Sequence, residues 1–321
     1  MKKDAVLVTG GNGFVGRAVV ESLLATGVPV TAAVRRAEAQ VSPQARKVIV
    51  GGLGASTLWS AALESVDAVI HTAARVHVMD EQSIDPLTLY RQVNVDGTLA
   101  LARQAAHSGV RRFVFVSSIK VNGEQTLPGR PFQAEDVPMP CDPYGRSKYE
   151  AEQGLQQLSK ETGLEVVIVR PVLVYGAGVG ANVASLMRWL RRGVPLPLGA
   201  IDNRRSLVNL ANLVDFLQIC VQHPQAAGQT FLVSDDHDLS TTELLRRMGQ
   251  ALGCRPLLLP VPPVLLKWVG RMTGKNAISQ RLLGSLQVDI SKNQRLLGWR
   301  PSTSVDQGLQ VTAAHFLESL R

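Results

Sequence analysis

Short apolar runs alternate with longer stretches of helical spacing through the first half of the chain. Six runs have the length and apolar character of buried strands, namely residues 4–9, 28–34, 47–50, 66–72, 113–117 and 165–169. Helical patterns lie between them, most clearly at residues 86–107 and 144–162. Strands spaced so that one helix fits between each pair are typical of βαβ units. The pattern therefore predicts an α/β fold built on a parallel sheet.

Three glycines stand where the first strand ends and the first helix begins. Gly10, Gly13 and Gly16 let the backbone approach a pyrophosphate closely. Phe14 and Val15 open the helix, whose N-terminal N–H groups and dipole attract an anion. Such a glycine pattern is weak evidence alone, but it is strong directly after a strand and at the start of a helix. It predicts a dinucleotide site on a Rossmann-like, doubly wound parallel sheet.

The end of the second strand indicates which nicotinamide cofactor is bound. An Asp or Glu at this place would accept a hydrogen bond from the ribose 2′-hydroxyl of NAD. Here Arg35 and Arg36 occupy it, and the first acidic residue is Glu38. Guanidinium groups suit a 2′-phosphate. We therefore predict a preference for NADP(H), with NAD(H) as the alternative.

The second half of the chain follows a different pattern. After residue 175 it becomes a mixture of helices, short strands and proline-rich turns. We expect an NAD(P)-binding Rossmann domain at residues 1–174. Residues 175–321 should form mainly a smaller C-terminal substrate-binding lobe, with segments that return to the first domain. A chain of 321 residues is long enough to bury both cores.

A tyrosine and a lysine mark the candidate catalytic site. Tyr144 and Lys148 lie four residues apart at the start of a helical pattern, so both side chains should project from one face. A free phenol has a pKa of about 10 and is a poor acid or base at neutral pH. A fixed positive charge nearby would lower that pKa, towards the range in which general acid–base catalysis is efficient.

Composition and charge narrow the classes of partner. The net charge is +8, but Lys and Arg are scattered and only 5% of residues are aromatic, which favours a solvated basic surface over a nucleic-acid site. The three cysteines are widely spaced, and residues 1–4 run directly into a strand without a signal peptide. We expect a cytoplasmic protein with reduced thiols. No Cys/His cluster has metal-ligand spacing, so no metal site is predicted.

With these motifs in order, the chain resembles the extended short-chain dehydrogenase/reductases, in the epimerase/dehydratase group that acts on sugar nucleotides. The resemblance covers almost the whole chain. It rests on the segments at residues 9–16, 67–74, 94–98, 117–118, 144–148, 170–176 and 297–301.

The resemblance implies roles for the catalytic residues. Tyr144 would be the acid/base, Lys148 would hold the nicotinamide ribose and tune Tyr144, and Ser118 would hydrogen-bond the reacting oxygen. Further cofactor contacts are implied for Ala73, Ala74, Arg75, Asn94, Pro171 and Val174, with Asn94 also supporting the active-site helix. The family's adenine-contacting Asp after the third strand is absent, and residues 51–53 stand there, so we expect adenine recognition by backbone or apolar contacts such as Leu53. Substrate contacts to a nucleotide diphosphate are implied for Asn182, Arg205 and Asp289.

The family leaves the reaction open, and one departure narrows it. Sugar-nucleotide dehydratases of this family carry an Asp-Glu pair after the catalytic Ser/Thr, whereas this chain has Ile119 and Lys120. Dehydration therefore lacks its proton-transfer residues. We expect NADPH-dependent reduction of the C4 keto group of a UDP-4-keto-6-deoxy-hexosamine, because residues 74–78 and 117–124 resemble bacterial O-antigen reductases. The alternatives are an NAD-dependent UDP-(N-acetyl)hexose 4-epimerase and a non-catalytic NAD(P)-binding sensor.

Two surfaces have implications for partners. The longest apolar run, near residues 257–266, is interrupted by prolines and cannot form the ~20-residue apolar helix of a membrane span. The segment 264–272 allows either peripheral contact with a membrane surface or packing on the lobe with its charges in water. We favour packing. By resemblance, the helices at residues 86–107 and 144–162 would form a homodimer contact.

Overall fold

The computed structural model describes residues 4–76, 85–127, 129–273 and 276–320. The strands are β1 (Ala5–Thr9), β2 (Val30–Val34), β3 (Arg46–Ile49), β4 (Val66–His71), β5 (Arg112–Val116), β6 (Glu165–Pro171), β7 (Leu173–Tyr175), β8 (Leu207–Asn209) and β9 (Thr230–Val233). Within the described residues, a parallel sheet has the order β3-β2-β1-β4-β5-β6-β9, and β7 pairs with β8 separately. The predicted Rossmann-like doubly wound sheet is confirmed.

The helices flank the sheet and build the lobe. They are α1 (Phe14–Ala25), α2 (Ser60–Leu63), α3 (Pro86–Arg91), α4 (Gly97–His107), α5 (Pro143–Thr162), α6 (Ala181–Arg191), α7 (Leu210–Gln222), α8 (Thr241–Ala251), α9 (Pro263–Met272), α10 (Asn276–Leu283), α11 (Ser291–Leu297) and α12 (Val305–Glu318). Among the described residues, none of these helices is long and apolar enough to cross a bilayer.

Two apolar layers cover the two faces of the sheet. On one face, α1 and α7 contribute buried side chains such as Val19, Leu23 and Phe216 to a core with β1, β4 and β6. On the other, α4 and α5 contribute Leu101 and Leu155, among others, to a second core. Because both faces of the sheet are covered, its inner strands are mostly apolar, which explains why they are visible as runs in the sequence; β3, at the edge, is largely exposed.

The strand order reverses between β1 and β4. The carboxyl ends of these two neighbouring strands open a crevice at which α/β proteins bind ligands. Gly10 follows β1 and Ala73 follows β4, and a Cβ added to Gly10 would lie 3.1 Å from the Ala73 Cα. The turn after β1 and the loop after β4 therefore meet at this crevice.

The helix predicted at residues 86–107 is divided into three parts. A π-helical turn at Gln92–Asp96 separates α3 from α4. Asn94 lies in this turn, and its side chain contacts Arg75 and Ser147. The extra residue in the turn changes the helix face that points towards the sheet, which single-turn π-bulges commonly do at functional sites.

The second half of the chain forms a further core and also returns to the sheet. Side chains of α6, α8 and α12 pack together around residues such as Met187, Leu245 and Leu309. Further along, β9 pairs with β6 at the edge of the sheet, and α11 packs beside it. The domain division near residue 174 stays a prediction.

The packing of α9 on the lobe agrees with the sequence expectation for one side of the helix. Leu266 and Gly270 face the protein, and Lys267 and Arg271 are in water, as we expected. Val264, Trp268 and Met272, however, are exposed. The sequence did not predict this exposure, because α9 carries apolar residues on more of its circumference than the lobe core covers.

We expect Gly16→Ala to destabilise the fold. A Cβ at this position would lie 2.1 Å from the Gly10 carbonyl oxygen, so α1 would have to move away from the glycine turn. Such overpacking costs about 1–3 kcal/mol of unfolding free energy. Urea denaturation measures it. Gly52→Ala is the control, because an added Cβ there meets nothing within 4 Å. Equal unfolding midpoints for the two variants would contradict the expectation.

Candidate active site

The start of α5 is held directly against the segment that follows β5. The Asp142 side chain caps α5 by accepting a hydrogen bond from the Gly145 N–H at 2.7 Å. A Cβ at Gly145 would lie 2.8 Å from the Lys120 carbonyl oxygen, so only glycine allows this approach. Lys120 Nζ also forms an ion pair with Asp142. These contacts bring Tyr144 next to Ser118, the residue that begins the turn after β5.

Tyr144 is half-buried and hydrogen-bonds with Ser118. Burial raises the pKa of its phenol above the ordinary value, and the negative charge of Asp142 raises it further. The hydrogen bond with Ser118 acts in the opposite direction. The lowering of this pKa that the Tyr-x-x-x-Lys spacing predicted is therefore wrong for this structure, since desolvation of the phenolate outweighs the groups that stabilise it.

Lys148 is buried beneath Tyr144 on the same face of α5. Its ammonium donates a hydrogen bond to the Val116 carbonyl oxygen at 2.9 Å and lies 4.5 Å from the centroid of the Phe115 ring. Burial lowers the pKa of Lys148 to about 7, while the nearby charge of Glu152 acts to raise it. The charge of Lys148 can therefore change near neutral pH.

Tyr90, which lies beside Tyr144, was not found from the sequence. The Tyr90 ring lies edge-on to the Tyr144 ring, with 6.1 Å between centroids. The Arg75 guanidinium lies 5.7 Å from the centroid of Tyr90, and the Tyr90 hydroxyl donates to the Val76 carbonyl oxygen at 3.3 Å. This stack links the loop after β4 to Tyr144. Nothing in the motif pattern marks Tyr90, because its contact with Tyr144 depends on how α3 packs on α5.

Asn94 joins three elements of the site. Its side-chain oxygen accepts from the Arg75 N–H at 2.8 Å, and its amide donates to the Arg75 carbonyl oxygen at 3.1 Å and to Ser147 Oγ at 3.0 Å. Asn94 is buried, so its hydrogen bonds are not shared with water. It therefore fixes the loop after β4 against α5, beside both Tyr144 and Lys148. This geometry agrees with the supporting role that the sequence analysis assigned to it.

The glycine turn has the shape that a pyrophosphate requires. Gly10 has φ +65°, a left-handed conformation, and its carbonyl oxygen accepts from the Gly13 N–H at 2.8 Å. Gly13 is the N-cap of α1 and has no side chain to cover the helix end, where Phe14 and Val15 follow. Backbone N–H groups at an uncapped helix start are a natural anion site. A dinucleotide fits these residues.

The other predicted cofactor residues follow the carboxyl ends of their strands. Arg35 and Arg36 are exposed after β2. Leu53 follows β3 and lies against the start of α4, since a Cβ added to Gly97 would be 3.2 Å from the Leu53 Cβ. Pro171 is buried at the end of β6 beside β9. Val174 instead lies in β7, paired with β8 outside the main sheet. Because parallel strands end at one edge, all but Val174 lie along the same side of the sheet, with Ala73, Ala74 and Arg75.

The predicted substrate residues lie in the second half of the chain. Arg205 is half-buried between segments at Leu239 and Leu286, and its guanidinium donates to the Gly284 carbonyl oxygen at 3.1 Å. Burial, followed by the charge of Arg281, lowers the pKa of Arg205. The Asp289 carboxylate accepts from the Ser291 N–H at 2.8 Å at the start of α11. Asn182 is in the first turn of α6, and its side chain lies outside the described residues.

A buried ion pair underlies the catalytic helix. Glu152 lies one turn beyond Lys148, and Arg170 of β6 donates to both of its carboxylate oxygens, at 3.0 and 2.5 Å. Ser117 donates to the same carboxylate at 2.5 Å, and Arg170 also donates to Asn122 Oδ1 at 2.9 Å. All four side chains are buried. The network ties α5 to β6 and to the segment after β5, which carries Ser118.

A buried histidine lies at the carboxyl end of β4. His71 ends β4, with Thr9 Oγ1 2.7 Å from Nδ1 and Thr98 Oγ1 2.9 Å from Nε2. Phe113 and Phe115 flank its ring. Burial lowers the pKa of His71 to about 3, and the charge of Lys148 lowers it further. The imidazole is therefore neutral in the folded protein and belongs to the core.

Comparisons with known proteins fit this geometry. A family model described as the NAD dependent epimerase/dehydratase family matches residues 6–234. The chain belongs to this family. It is 50% identical over 317 residues to a protein of Vibrio cholerae named UDP-glucose 4-epimerase, covering 98% of this chain and 96% of that protein.

More distant relatives share the whole length of the chain. An Escherichia coli O157:H7 protein named N-acetyl-alpha-D-glucosaminyl-diphospho-ditrans,octacis-undecaprenol 4-epimerase is 26% identical over 327 residues, with 96% and 94% coverage. The crystal structure of UDP-glucose 4-epimerase from Thermotoga maritima with UDP-glucose has a TM-score of 0.79 at 22% identity, with 99% and 100% coverage. That of UDP-glucuronic acid 4-epimerase from Bacillus cereus in complex with NAD has a TM-score of 0.78 at 18% identity, with the same coverage. The two structures establish the likeness of fold.

We expect Glu152→Gln to destabilise the protein by about 3 kcal/mol, because removing one partner of a buried pair leaves the other charge uncompensated. Guanidinium denaturation measures the loss. The matched control is Glu150→Gln, two residues away on α5, because the Glu150 carboxylate pairs with Arg91 at the surface. That change should cost no more than about 1 kcal/mol of unfolding free energy.

A Glu152→Leu/Arg170→Met double variant removes both charges and should be more stable than Glu152→Gln. Equal losses of stability in Glu150→Gln and Glu152→Gln would refute this account.

His71 should make stability depend on pH. The unfolded chain binds a proton to this histidine near its ordinary pKa of 6.5, whereas the folded state resists protonation down to about 3. The free energy of unfolding should therefore fall by about 1.4 kcal/mol per pH unit as the pH drops below 6.5. Urea denaturation at a series of pH values measures the slope. His71→Gln should flatten it, and the exposed His107→Gln should not. A His71→Gln slope equal to that of the wild type would disprove the assignment.

Proposed function

We propose that this protein interconverts UDP-hexoses by NAD-dependent epimerisation at C4. The hydrogen-bonded pair of Tyr144 and Ser118, at the carboxyl edge of the sheet, carries the proposal. It is supported by the 50% sequence identity to a relative named UDP-glucose 4-epimerase. Ile119 and Lys120 follow Ser118, so the two positions after Ser118 do not carry the carboxylates that dehydration needs. One tyrosine is sufficient for a reaction that removes one proton and later returns it.

When bound, the nicotinamide cofactor supplies the hydride acceptor and donor. Tyr144 handles the proton. Its phenolate form, which the positive charge of a bound oxidised nicotinamide would favour against the desolvation that raises its pKa, would accept the proton of the C4 hydroxyl during oxidation. Its hydroxyl would return that proton during reduction on the other face of the sugar. Ser118 donates a hydrogen bond that stabilises negative charge on the oxygen at C4. One proton and one hydride are removed and returned, so the sugar undergoes no net redox change.

We assign Lys148 to the nicotinamide ribose and Asn94 to holding the loop after β4 against α5. The glycine turn would bind the pyrophosphate of the cofactor, and Ala73 and Ala74 would line its path. The structural relatives described with NAD support NAD(H) as the working cofactor. Adenine recognition would use apolar contacts such as Leu53, because Gly51 and Gly52 supply no side chain to bind it.

The diphosphate of the UDP-sugar would be bound by Arg205 and Asn182. Arg205 offers a positive charge in a half-buried position, where an anion is screened less by water than at the surface. The Asp289 carboxylate accepts from the N–H of Ser291, the first residue of α11, and the Asp289 backbone N–H donates to the Phe132 carbonyl oxygen at 2.9 Å. We therefore infer that Asp289 orients this part of the site rather than binding phosphate. A homodimer and a cytoplasmic location stay predictions.

A second candidate is NADPH-dependent reduction of the C4 keto group of a UDP-4-keto-6-deoxy-hexosamine in O-antigen biosynthesis. Two observations favour it. Burial raises the pKa of Tyr144, so the phenol is protonated at neutral pH, which is the form that gives a proton to a reduced carbonyl. Arg35 and Arg36 are exposed at the end of β2, where they suit a 2′-phosphate. A non-catalytic sensor of NAD(P) is the remaining alternative.

The assay incubates the purified protein with UDP-glucose and follows UDP-galactose by NMR. We expect Tyr144→Phe to lower kcat by at least about 100-fold, since it removes the acid/base group. Tyr149→Phe is the matched control, because Tyr149 lies on the same helix and its hydroxyl accepts a hydrogen bond from Gln153 at 3.2 Å. Full activity in Tyr144→Phe would exclude the mechanism, and inactivity of the wild type on every UDP-hexose would exclude epimerisation.

The nucleotide that purifies with the protein separates the two reactions. We expect NAD in stoichiometric amount, identified by mass after denaturation. Exchangeable NADPH that is consumed with a UDP-4-keto-6-deoxy-hexosamine would favour the reductase instead. Turnover with neither substrate, combined with nucleotide binding, would support the sensor.

A further inference from the structure

The α9 helix presents an apolar face to solvent. Val264, Trp268 and Met272, which are 78%, 60% and 71% exposed, follow one another at intervals of four residues, and Leu265 and Val269 extend the same face. This continuous stripe of large side chains differs from the scattered apolar residues that soluble surfaces normally carry.

The stripe is held in a fixed orientation. Leu266 packs against the core of the lobe and Gly270 is buried, so the opposite side of α9 is attached to the protein. The α10 helix packs beside it. The exposed face is therefore a permanent part of the lobe surface, since rotating the helix to bury that face would expose Leu266 and Gly270.

The segment around α9 also holds most of the net charge of the chain. Residues 244–288 contain seven basic residues and no Asp or Glu, while the whole chain has a net charge of +8. Lys267 and Arg271 are themselves on α9 and exposed, between the apolar stripe and the rest of the surface. A basic, tryptophan-containing amphipathic helix is the pattern of a helix that lies in the headgroup region of an anionic bilayer.

A second copy of this chain is a poorer partner for the same face. A two-fold symmetric contact would place α9 against α9 or near it, because the same patch is used on both subunits. Lys267 and Arg271 of both copies would then approach one another, and residues 244–288 supply no acidic side chain to compensate them. Like charges at an interface oppose association, whereas anionic lipid headgroups neutralise them.

We propose that α9 docks this protein on the surface of an anionic phospholipid bilayer. Trp268, Val264 and Met272 enter the region between headgroups and acyl chains, and Lys267 and Arg271 contact lipid phosphates. The contact is peripheral and reversible, because one short helix buries little apolar surface and two basic side chains add only a limited electrostatic attraction. This docking is independent of the reaction proposed above.

Vesicle sedimentation with the full chain tests the docking. We expect binding to vesicles of phosphatidylcholine and phosphatidylglycerol in equal parts, weak binding to phosphatidylcholine alone, and release at high salt. Leu265→Ser/Trp268→Ser should lower the affinity at least about tenfold, and Lys267→Glu/Arg271→Glu should do the same by reversing two charges. Trp189→Ser on α6 is the matched control, because this tryptophan is also partly exposed but lies outside α9.

Each variant is checked for folding by its thermal unfolding midpoint, which these surface changes should leave near the wild-type value. Tryptophan fluorescence gives a second readout, since insertion of Trp268 should shift its emission to shorter wavelength on mixed vesicles. The proposal is overturned if the α9 variants bind vesicles as the wild type does, or if the wild type binds neutral and anionic vesicles equally. A dimer in ultracentrifugation that the α9 variants abolish, without vesicle binding, would overturn it in favour of a second copy.

Discussion

The ion pair between Glu152 and Arg170 is the constraint on which the catalytic geometry depends. It lies beneath the helix that carries Tyr144 and Lys148, and it joins that helix to β6 and to the segment that carries Ser118. Two charges removed from water are costly unless their hydrogen bonds are satisfied. Here the bidentate contact, together with Ser117 and Asn122, satisfies them. The fixed geometry of this network positions α5, so the placement of Tyr144 and Lys148 depends on buried residues beneath them.

Desolvation determines the protonation states above that network. It raises the pKa of the Tyr144 phenol, lowers that of Lys148 to about 7 and lowers that of His71 to about 3. In each case burial is the largest cause, and it favours the neutral form. The edge of the sheet is therefore less charged than its residue types suggest. Such a site is responsive to an incoming charged ligand, because nearby charges act strongly where water is excluded.

Much of this architecture could be predicted from the sequence. The buried strands are mostly apolar, the glycine turn follows the first of them directly, and the Tyr-x-x-x-Lys spacing marks the start of α5. These signals are local. The π-helical turn at Gln92–Asp96, the contact of Tyr90 with Tyr144, and the pairing of Glu152 with Arg170 depend on how separate elements pack. The outward direction of the α9 stripe could not be predicted either, since amphipathic spacing does not show which side of a helix finds a partner.

The position of β9 has a consequence for synthesis of the chain. This strand completes the sheet beside β6, although roughly sixty residues separate the two in the sequence. While the ribosome makes those residues, β6 is an edge with unpaired backbone groups, and at about 5–20 residues per second this lasts about 3 to 12 s. During that interval the nascent sheet is open to pairing with other strands. A shortened chain that ends after β7 would retain this open edge permanently and would be prone to aggregation.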